Sequence, residues 1–382
     1  MDNIAFPATG LYIHIPYCRK ACHYCNFHFS TSLNNRTRFL EALIKEIDLT
    51  PGKKIREVTT VYFGGGTPSI LFRTELRAIV QELHKRFQIH KQAEWTLEVN
   101  PDDLNENKLA FWKEMGFNRL SVGIQSFRDQ DLNWMNRSHS AIQAIEGINM
   151  IRKTGFDNFS IDLIYGVPGL SDEDWKQNIQ QAIDFQVPHI SAYALTVEPK
   201  TALSHLIENK KVADVDPEQQ ARQFLMLMDM LNLAGYEHYE ISNFAKAGYR
   251  SQHNSSYWAG TPYFGLGPGS HSFDGESRYW NISNNNLYIE SIQAGIIPFD
   301  KEELTEIQHL NEYIMTALRT IEGIDLQWIR SKWNEQYAVQ IQSHAQKYIT
   351  LGNLIATENR LILTKNGKLF ADGIAADLFF LP

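Results

Sequence analysis

Two kinds of hydrophobic spacing alternate along the first two thirds of the chain. Short runs rich in β-branched and aromatic residues are followed by longer segments with apolar residues at i, i+3 and i+4. The short runs predict strands, and the longer segments predict amphipathic helices. The predicted strands are residues 11–15, 60–65, 95–99, 119–124, 159–166 and 189–195, and the predicted helices between them are residues 38–47, 76–87, 107–116, 141–155 and 174–185.

This alternation predicts an α/β fold in which helices cover a parallel sheet. Six β–α units are too few for a complete eight-fold barrel, so the pattern leaves an open sheet and a partial barrel as alternatives. In either arrangement the carboxyl ends of the strands meet at one edge, where ligands bind. A further helix at 218–235 and a further strand at 236–242 are predicted after the sixth strand.

The pattern changes after Ile296. Residues 301–323 predict one long amphipathic helix, residues 354–367 a hairpin with a polar turn, and residues 367–380 a closing helix. We therefore predict a core domain over residues 1–295 and a small C-terminal helix-plus-β-hairpin domain over residues 296–382.

Composition narrows the class of protein. The 382 residues are 43% hydrophobic and 21% charged, which is typical of a globular protein. The formal net charge of -8 argues against nucleic acid as a partner, because a surface that follows phosphates needs excess Lys and Arg. No stretch reaches the roughly 18 apolar residues of a membrane span, and the N-terminal residues do not resemble a secretory signal. These features predict a cytoplasmic protein.

All three cysteines lie in one short loop after the first predicted strand. Their spacing, Cys18-x3-Cys22-x2-Cys25, suits an iron–sulfur cluster or a zinc ion. Three ligands to a four-iron cluster would leave one iron open, whereas zinc would take His23 or His28 as its fourth ligand. Buried structural cysteines are the third alternative, but that interpretation does not explain why all three cluster in one loop.

Polar residues follow several of the predicted strands at the same edge. GGGTP spans residues 64–68, Glu98 ends the third strand, Gln125 follows the fourth, and Asp162 lies within the fifth. A carboxylate in a strand buried on both faces is costly unless it is hydrogen-bonded or faces a polar site. Each residue alone could have a local structural role, but their shared position predicts a pocket for a polar ligand.

The cysteine motif after the first strand and GGGTP after the second together resemble the radical S-adenosylmethionine (radical SAM) superfamily. The resemblance implies a partial (β/α)6 barrel and a [4Fe–4S] cluster, held by the three cysteines, that chelates S-adenosylmethionine through its open iron. Further motifs resemble those of one subfamily, which contains oxygen-independent coproporphyrinogen III oxidase and related heme chaperones. These motifs are, in order, YIHIPYC, VYFGGGTPSIL, LEVNPDD, RLSVGIQSF, NRSH, IDLIYGVPG, YALTVEP and YFGLGPGSHSF.

The resemblance also implies a role for individual residues. Cys18, Cys22 and Cys25 would ligate the cluster. Tyr12 and Tyr24 would lie against S-adenosylmethionine near the cluster loop, and Gly65, Gly66 and Thr67 would contact the methionine end of the cofactor. Glu98 would bind the ribose hydroxyls, and Arg137 would pair with the carboxylate. Gln125 and Asp162 would complete the polar wall of the pocket, and Ala194 would pack near the adenine.

Two features distinguish the heme chaperones from the oxidases. The oxidase pattern has a further cysteine two residues after the third, where this chain has Phe27. The oxidases also carry a longer segment before the first strand, whereas ten residues precede Leu11 here. Both features favour the chaperone.

The stretch HNSSYW at residues 253–258 resembles the HNxxYW motif associated with heme binding in the chaperones. Because a neutral imidazole is a common axial ligand of heme iron, His253 is the predicted heme ligand. The alternative is a loop histidine that is hydrogen-bonded to a nearby carbonyl, with Tyr257 and Trp258 packed beneath it.

The resemblance therefore favours a heme chaperone that binds a [4Fe–4S] cluster, S-adenosylmethionine and heme, and delivers heme to acceptor hemoproteins. The alternative is oxygen-independent oxidative decarboxylation of coproporphyrinogen III, so the sequence does not decide whether the chain is an enzyme. A winged DNA-binding module at residues 354–367 is disfavoured by the acidic charge. Peripheral membrane contact and a homodimer are left open.

Overall fold

Six parallel strands form the centre of the structure, a computed structural model that describes residues 9–50 and 57–381. Each strand pairs with the next along the chain, and the predicted strands are confirmed. They are β1 (Thr9–Ile15), β2 (Val58–Gly65), β3 (Ile89–Val99), β4 (Arg119–Gln125), β5 (Phe159–Tyr165) and β6 (His189–Ala194).

Helices follow the strands and pack their apolar stripes against one face of the sheet. Side chains such as Leu43 and Ile79 join the outward-facing Ile13 and Val61 in one large hydrophobic core. The helices are α1 (Arg36–Leu49), α2 (Arg73–Arg86), α3 (Glu106–Glu114), α4 (Asp129–Trp134), α5 (Ala141–Lys153), α6 (Asp172–Asp184), α7 (Ala202–Glu208) and α8 (Pro217–Leu233).

The chain then returns to extend both edges of the sheet. β7 (Glu237–Glu240) and β8 (Asn243–Ala245) follow β6, and β8 pairs with it antiparallel. After the short helix α9 (Gln252–Trp258), β9 (Tyr263–Leu266) pairs parallel with β1. The edge beyond β9 is formed by β10 (His271–Phe273), β11 (Ser277–Asn281) and, after helix α10 (Asn285–Gln293), β12 (Phe299–Glu303).

The central strands curve around a shared interior. Residues of β2 through β6 line one cavity, and His253 of α9 packs on Tyr62 of β2 inside the same curve. The strand order β9-β1-β2-β3-β4-β5-β6-β8 leaves β1 and β6 unpaired with each other, so the barrel is partial. Of the two alternatives left by the sequence, the partial (β/α)6 barrel is the observed fold.

A second hydrophobic core begins at Leu310. Its elements, which we call the C-terminal unit (306–381), combine helices with a three-stranded antiparallel sheet. They are α11 (Glu306–Leu318), β13 (Ile324–Asp325), α12 (Leu326–Lys332), α13 (Glu335–Thr350), β14 (Leu354–Ala356), β15 (Arg360–Leu363) and α14 (Ala371–Asp377). The predicted hairpin and closing helix are confirmed, and the domain boundary after residue 295 stays a prediction.

The prediction of one helix over 301–323 is wrong at both ends. Lys301 to Glu303 lie in β12, which pairs antiparallel with β11. The helix starts only after Thr305, whose hydroxyl accepts a hydrogen bond from the Gln308 backbone in a reciprocal capping box. It ends at Leu318, before a turn in which Gly323 adopts a φ of 67°. None of the described helices is long and apolar enough to cross a membrane.

Candidate functional site

One cavity of about 400 Å³ opens at the carboxyl edge of the parallel strands. The cysteine loop covers one side, and the ends of β2 to β6 form the opposite wall. Of the predicted site residues, the three cysteines, Tyr24, Gly65, Gly66, Thr67, Glu98, Gln125, Arg137, Asp162 and Ala194 line this cavity. The parallel sheet therefore brings together residues that are up to 176 positions apart, from Cys18 to Ala194.

The cysteine loop is fixed by hydrogen bonds from outside itself. The amide of Cys18 donates to the carbonyl of Ser30 at 3.0 Å, which closes the base of the loop. The amide of His23 donates to the Met135 carbonyl at 3.1 Å, and the Asn136 side chain donates to the Ala21 carbonyl at 2.7 Å. All three thiols are partly exposed, as metal-ligating sulfurs must be before a cluster binds.

Polar groups stand beside two of the sulfurs. The Thr67 hydroxyl donates to Cys18 Sγ at 3.5 Å, and Arg137 Nη1 donates to Cys22 Sγ at 3.2 Å. Burial raises the pKa of the Cys25 thiol to about 11, so this thiol stays protonated at neutral pH until a metal displaces the proton. A guanidinium against one sulfur offsets part of the negative charge that three thiolates would bring.

The two histidines of the zinc alternative each have one hydrogen-bonded ring nitrogen. His23 Nδ1 is hydrogen-bonded to the Trp134 carbonyl at 2.9 Å, and His28 Nε2 to Asn285 Oδ1 at 2.7 Å. Metal-ligating histidines make the same kind of bond with their second nitrogen, so these bonds do not distinguish zinc from a cluster. Three cysteine sulfurs in one partly exposed loop are the ligands that an iron–sulfur cluster takes, so the residues present fit that cluster.

Arg137 reaches the cavity from the segment that follows α4. Its Nη2 donates to Asn100 Oδ1 at 2.9 Å and to the Gly123 carbonyl at 2.7 Å. Its Nε is buried and has no hydrogen-bond partner among the described residues. A buried guanidinium N–H without an acceptor fits a ligand that supplies one, and a carboxylate is its natural partner.

The GGGTP segment turns the chain sharply at the end of β2. Gly65 has a φ of 110°, which L side chains rarely adopt. A side chain on Gly66 would place its Cβ 2.7 Å from the Tyr17 carbonyl oxygen, and the Gly66 amide donates to the Ile15 carbonyl at 2.9 Å. Glycine at both positions therefore lets the backbone run directly along the cavity beside the cysteine loop.

Two carboxyl groups line the cavity, those of Glu98 on β3 and Asp162 on β5. The Tyr62 hydroxyl donates to Glu98 Oε1 at 2.8 Å. Burial, reinforced by the charge of Asp162, raises the pKa of Glu98 to about 8, although the bonds from Tyr62 and the Gly65 amide act in the opposite direction. Burial also raises the pKa of Asp162 to about 6, against a hydrogen bond from Ser191. Both groups therefore hold a proton more tightly than an exposed carboxyl group does, and each presents carboxyl oxygens to the cavity.

Gln125 ends β4 in a strained conformation. Its φ of 69° lies in the left-handed region, which non-glycine residues seldom enter. The register between β4 and β5 shifts between Val122 and Gln125, so the strand turns its last side chain into the cavity. Strain of this kind persists where the surroundings fix it, and it clusters at ligand sites.

Two of the predicted residues lie outside the cavity lining. Tyr12 is below the glycine turn, where its hydroxyl is 3.2 Å from His14 Nδ1 and its ring stacks on Tyr62 at 6.1 Å. His253 is 1% exposed, and both of its ring nitrogens are hydrogen-bonded, to the hydroxyls of Thr60 and Tyr257. The role of His253 as a heme ligand stays a prediction. The alternative had this histidine bonded to a carbonyl, whereas both of its partners are hydroxyls.

Several residues of the cavity lining lie outside the predicted site. The signal that could have found them is the period of two, because residues two positions from a predicted site residue point to the same face of a strand. Ser121 and Gly123 precede Gln125 in this way. The residues missed on the cavity wall include Tyr62, Ser121, Gly123, Ser191 and Asn254.

Comparison with known proteins agrees with this site. The radical SAM superfamily profile matches residues 12–182, which include the cysteine loop and the ends of β2 to β5. The heme chaperone HemW of Bacillus subtilis is 32% identical over 367 residues, which cover 95% of this chain and 97% of that protein. The heme chaperone HemW of Mycobacterium tuberculosis is 32% identical, covering 97% of this chain and 94% of its own.

The same fold occurs in a solved structure. The coproporphyrinogen III oxidase HemN from Escherichia coli, a radical SAM enzyme, superposes with a TM-score of 0.86 over 99% of this chain and 91% of that chain, at 21% identity. At this identity the likeness shows the fold alone. The two HemW relatives span nearly the whole chain, and the chain therefore belongs to the HemW family of the radical SAM superfamily.

Proposed function

We propose that the chain is a cytoplasmic heme chaperone, which binds a [4Fe–4S] cluster, S-adenosylmethionine and heme and passes heme to acceptor hemoproteins. The observation that carries the proposal is the match to proteins named heme chaperones over 95% of the chain. Phe27 supports it locally, because its ring is 69% exposed at the cavity mouth. An exposed aromatic ring beside a pocket suits a flat apolar ligand such as a porphyrin.

The cavity residues have distinct tasks under this proposal. Cys18, Cys22 and Cys25 would hold the cluster, which supplies an open iron for chelation of S-adenosylmethionine. Arg137 would donate its unpaired Nε–H to the carboxylate of the cofactor, and Glu98 would accept hydrogen bonds from its ribose hydroxyls. The cysteine loop above and the sheet below exclude water from the enclosed part of the cavity.

Heme ligation by His253 would require a rearrangement. Its Nδ1 lies 2.7 Å from Thr60 Oγ1 and its Nε2 lies 2.8 Å from the Tyr257 hydroxyl. An axial ligand needs a nitrogen lone pair directed at the iron, so α9 would have to leave its position beneath Tyr62 before this histidine could bind heme.

The test is a titration of the anaerobically reconstituted protein with hemin, followed by the heme absorption band. Saturable binding of about one hemin per chain, with transfer to an apo-hemoprotein, is expected. His344→Ala, which removes an exposed histidine of the C-terminal unit, should leave binding unchanged and so controls for adventitious binding of hemin to a surface histidine. Absence of saturable binding would overturn the chaperone proposal and favour the oxidase alternative.

A further inference from the structure

α9 closes the bottom of the cofactor cavity. The backbone amides of Gln252 and His253 donate to the Glu94 carboxylate of β3 at 3.2 and 3.0 Å. Ser251 caps the helix by accepting from the Asn254 amide, and the Asn254 side chain lines the cavity. Within the described residues the carboxamide of Asn254 makes no hydrogen bond, so it is free to bind a ligand. Asn254 of the HNSSYW motif therefore lines the cavity, whereas His253 lies outside the lining and is buried against Tyr62.

The His253 ring fits closely among its neighbours. A Cβ on Gly10 of β1 would lie 3.2 Å from His253 Cε1, so glycine at this position makes room for the ring. The face of the imidazole stacks on Tyr62, with ring centroids 5.0 Å apart and planes 24° apart. Burial lowers the pKa of His253 to about 3, so the ring stays neutral at physiological pH.

Tyr62 connects this ring to the cavity. Its own ring lines the cavity, and its hydroxyl donates to Glu98 Oε1 at 2.8 Å. Tyr62 also stacks on Tyr12, with ring centroids 6.1 Å apart. The position of Glu98 thus depends on the Tyr62 ring, and the ring is supported from below by His253.

We propose that His253 is a positioning residue for the S-adenosylmethionine site. It supports the Tyr62 ring, and Tyr62 in turn holds Glu98 in the orientation that accepts the ribose hydroxyls. The proposal rests on the proposed function only in assuming that this cavity binds S-adenosylmethionine. Under this proposal the histidine of the HNSSYW motif contributes to the binding of S-adenosylmethionine, and this contribution is independent of any contact with heme.

Removal of the ring would leave a space under Tyr62. The tyrosine could then tilt into that space and lose its bond to Glu98. Groups that orient a ligand-binding residue typically contribute about 10-fold or more to affinity. A phenyl ring at position 253 would fill the space and support Tyr62, although it would leave the hydroxyls of Thr60 and Tyr257 without their partner.

The experiment measures the dissociation constant of S-adenosylmethionine by equilibrium dialysis on the cluster-loaded full chain. His253→Ala should weaken binding about 10-fold, and His253→Phe should recover affinity to within about 3-fold of the native protein. Tyr62→Phe should weaken binding to a similar extent, and adding His253→Ala to it should cause little further loss, because both changes act through one contact.

The matched control is His189→Ala. His189 is also fully buried in the barrel interior and bonds a tyrosine hydroxyl, that of Tyr239, at 2.7 Å. Its loss should destabilise the fold comparably without weakening S-adenosylmethionine binding. Native-like affinity in His253→Ala, or a His253→Phe variant as weak as His253→Ala, would overturn the proposal. Failure of the native cluster-loaded protein to bind S-adenosylmethionine would instead overturn the proposed function.

Discussion

The side chains enclosed by the partial barrel differ in chemistry from those enclosed by the C-terminal unit. The partial barrel encloses the buried Glu94 and Arg119 and the partly buried Glu98, Arg137 and Asp162, and among the described residues the Nε atoms of both arginines have no hydrogen-bond partner. In the C-terminal unit no polar or charged residue is buried among the described residues 306–381, although the Nε atom of Arg319 is enclosed there without a partner. The barrel therefore encloses several charged groups, whereas the core of the C-terminal unit is apolar.

The charged groups inside the barrel lower the stability of the fold at the candidate ligand site. A buried charge without full pairing is costly, and packed apolar groups of the same volume are often more stable. The core of the C-terminal unit is packed with apolar side chains, among them Leu310, Ile314 and Ile341. The barrel keeps charges in its interior because a polar ligand can complete their hydrogen bonds. Substitutions should therefore affect stability in one region and ligand binding in the other.

A large loss of stability is expected from a substitution in the core of the C-terminal unit. Ile314 of α11 is fully buried in the second core. Ile314→Ala should lower the free energy of unfolding by about 3 kcal/mol, because it removes buried methyl groups and leaves a cavity. Urea denaturation measures this loss. The comparison fails if the folded variant also binds S-adenosylmethionine markedly less tightly than the native protein.

Substitution of Glu98 is expected to weaken ligand binding without lowering the free energy of unfolding. Glu98→Gln removes a buried carboxylate, so the apo protein should gain stability at pH 8, by about 2 kcal/mol, while it binds S-adenosylmethionine more weakly. Chemical denaturation and equilibrium dialysis measure the two quantities on the same sample. A variant that is less stable at pH 8 and binds normally would mean that Glu98 has a structural role only.

The same residue predicts a dependence of stability on pH. The pKa of Glu98 in the folded protein is raised to about 8 from an ordinary 4.5, so the folded state binds the proton more tightly than the unfolded state does. The free energy of unfolding should therefore fall as pH rises from about 4.5 to about 8. The fall is at most about 1.4 kcal/mol for each unit by which the pKa of Glu98 differs between the folded and unfolded states. Thermal unfolding at several pH values should show a smaller slope for Glu98→Gln than for the native chain.

The smallest effect is expected at the surface of the C-terminal unit. Arg330 Nε lies 3.0 Å from a carboxylate oxygen of Glu335, whose side chain is largely exposed. Since exposed ion pairs contribute little, Glu335→Ala should change the free energy of unfolding by less than about 1 kcal/mol, and ligand binding should not change. A loss as large as that of Ile314→Ala would show that the surface of this unit contributes as much as its core.

The sequence predicted the parts of the fold that repeat. All six parallel strands were found because the alternation of short apolar runs and helical segments recurs along the chain. The helix predicted over 301–323 was wrong because the charged residues of β12 form an edge strand whose side chains are all exposed, which leaves no pattern of buried positions. Helices α12 and α13 were not predicted, although each has a capping residue, Asp325 and Asn334 respectively.

For the candidate site, the sequence predicted what lies on strand ends and in motifs. The cysteines, Glu98 and Asp162 converge as expected, because parallel strands bring their carboxyl ends together. The place of His253 could not be predicted, since a motif does not specify which elements surround it. Its burial follows from the packing of α9 inside the barrel, on Gly10, Thr60 and Tyr62.

Under the proposed function the cavity holds a [4Fe–4S] cluster with an open iron that binds S-adenosylmethionine. The most direct measurement is electron paramagnetic resonance of the anaerobically reconstituted and reduced protein, with and without S-adenosylmethionine, together with iron analysis. We predict about four iron atoms per chain and a cluster signal that changes when S-adenosylmethionine is added. A protein that takes up zinc but no iron, or a cluster signal that S-adenosylmethionine leaves unchanged, would contradict the account.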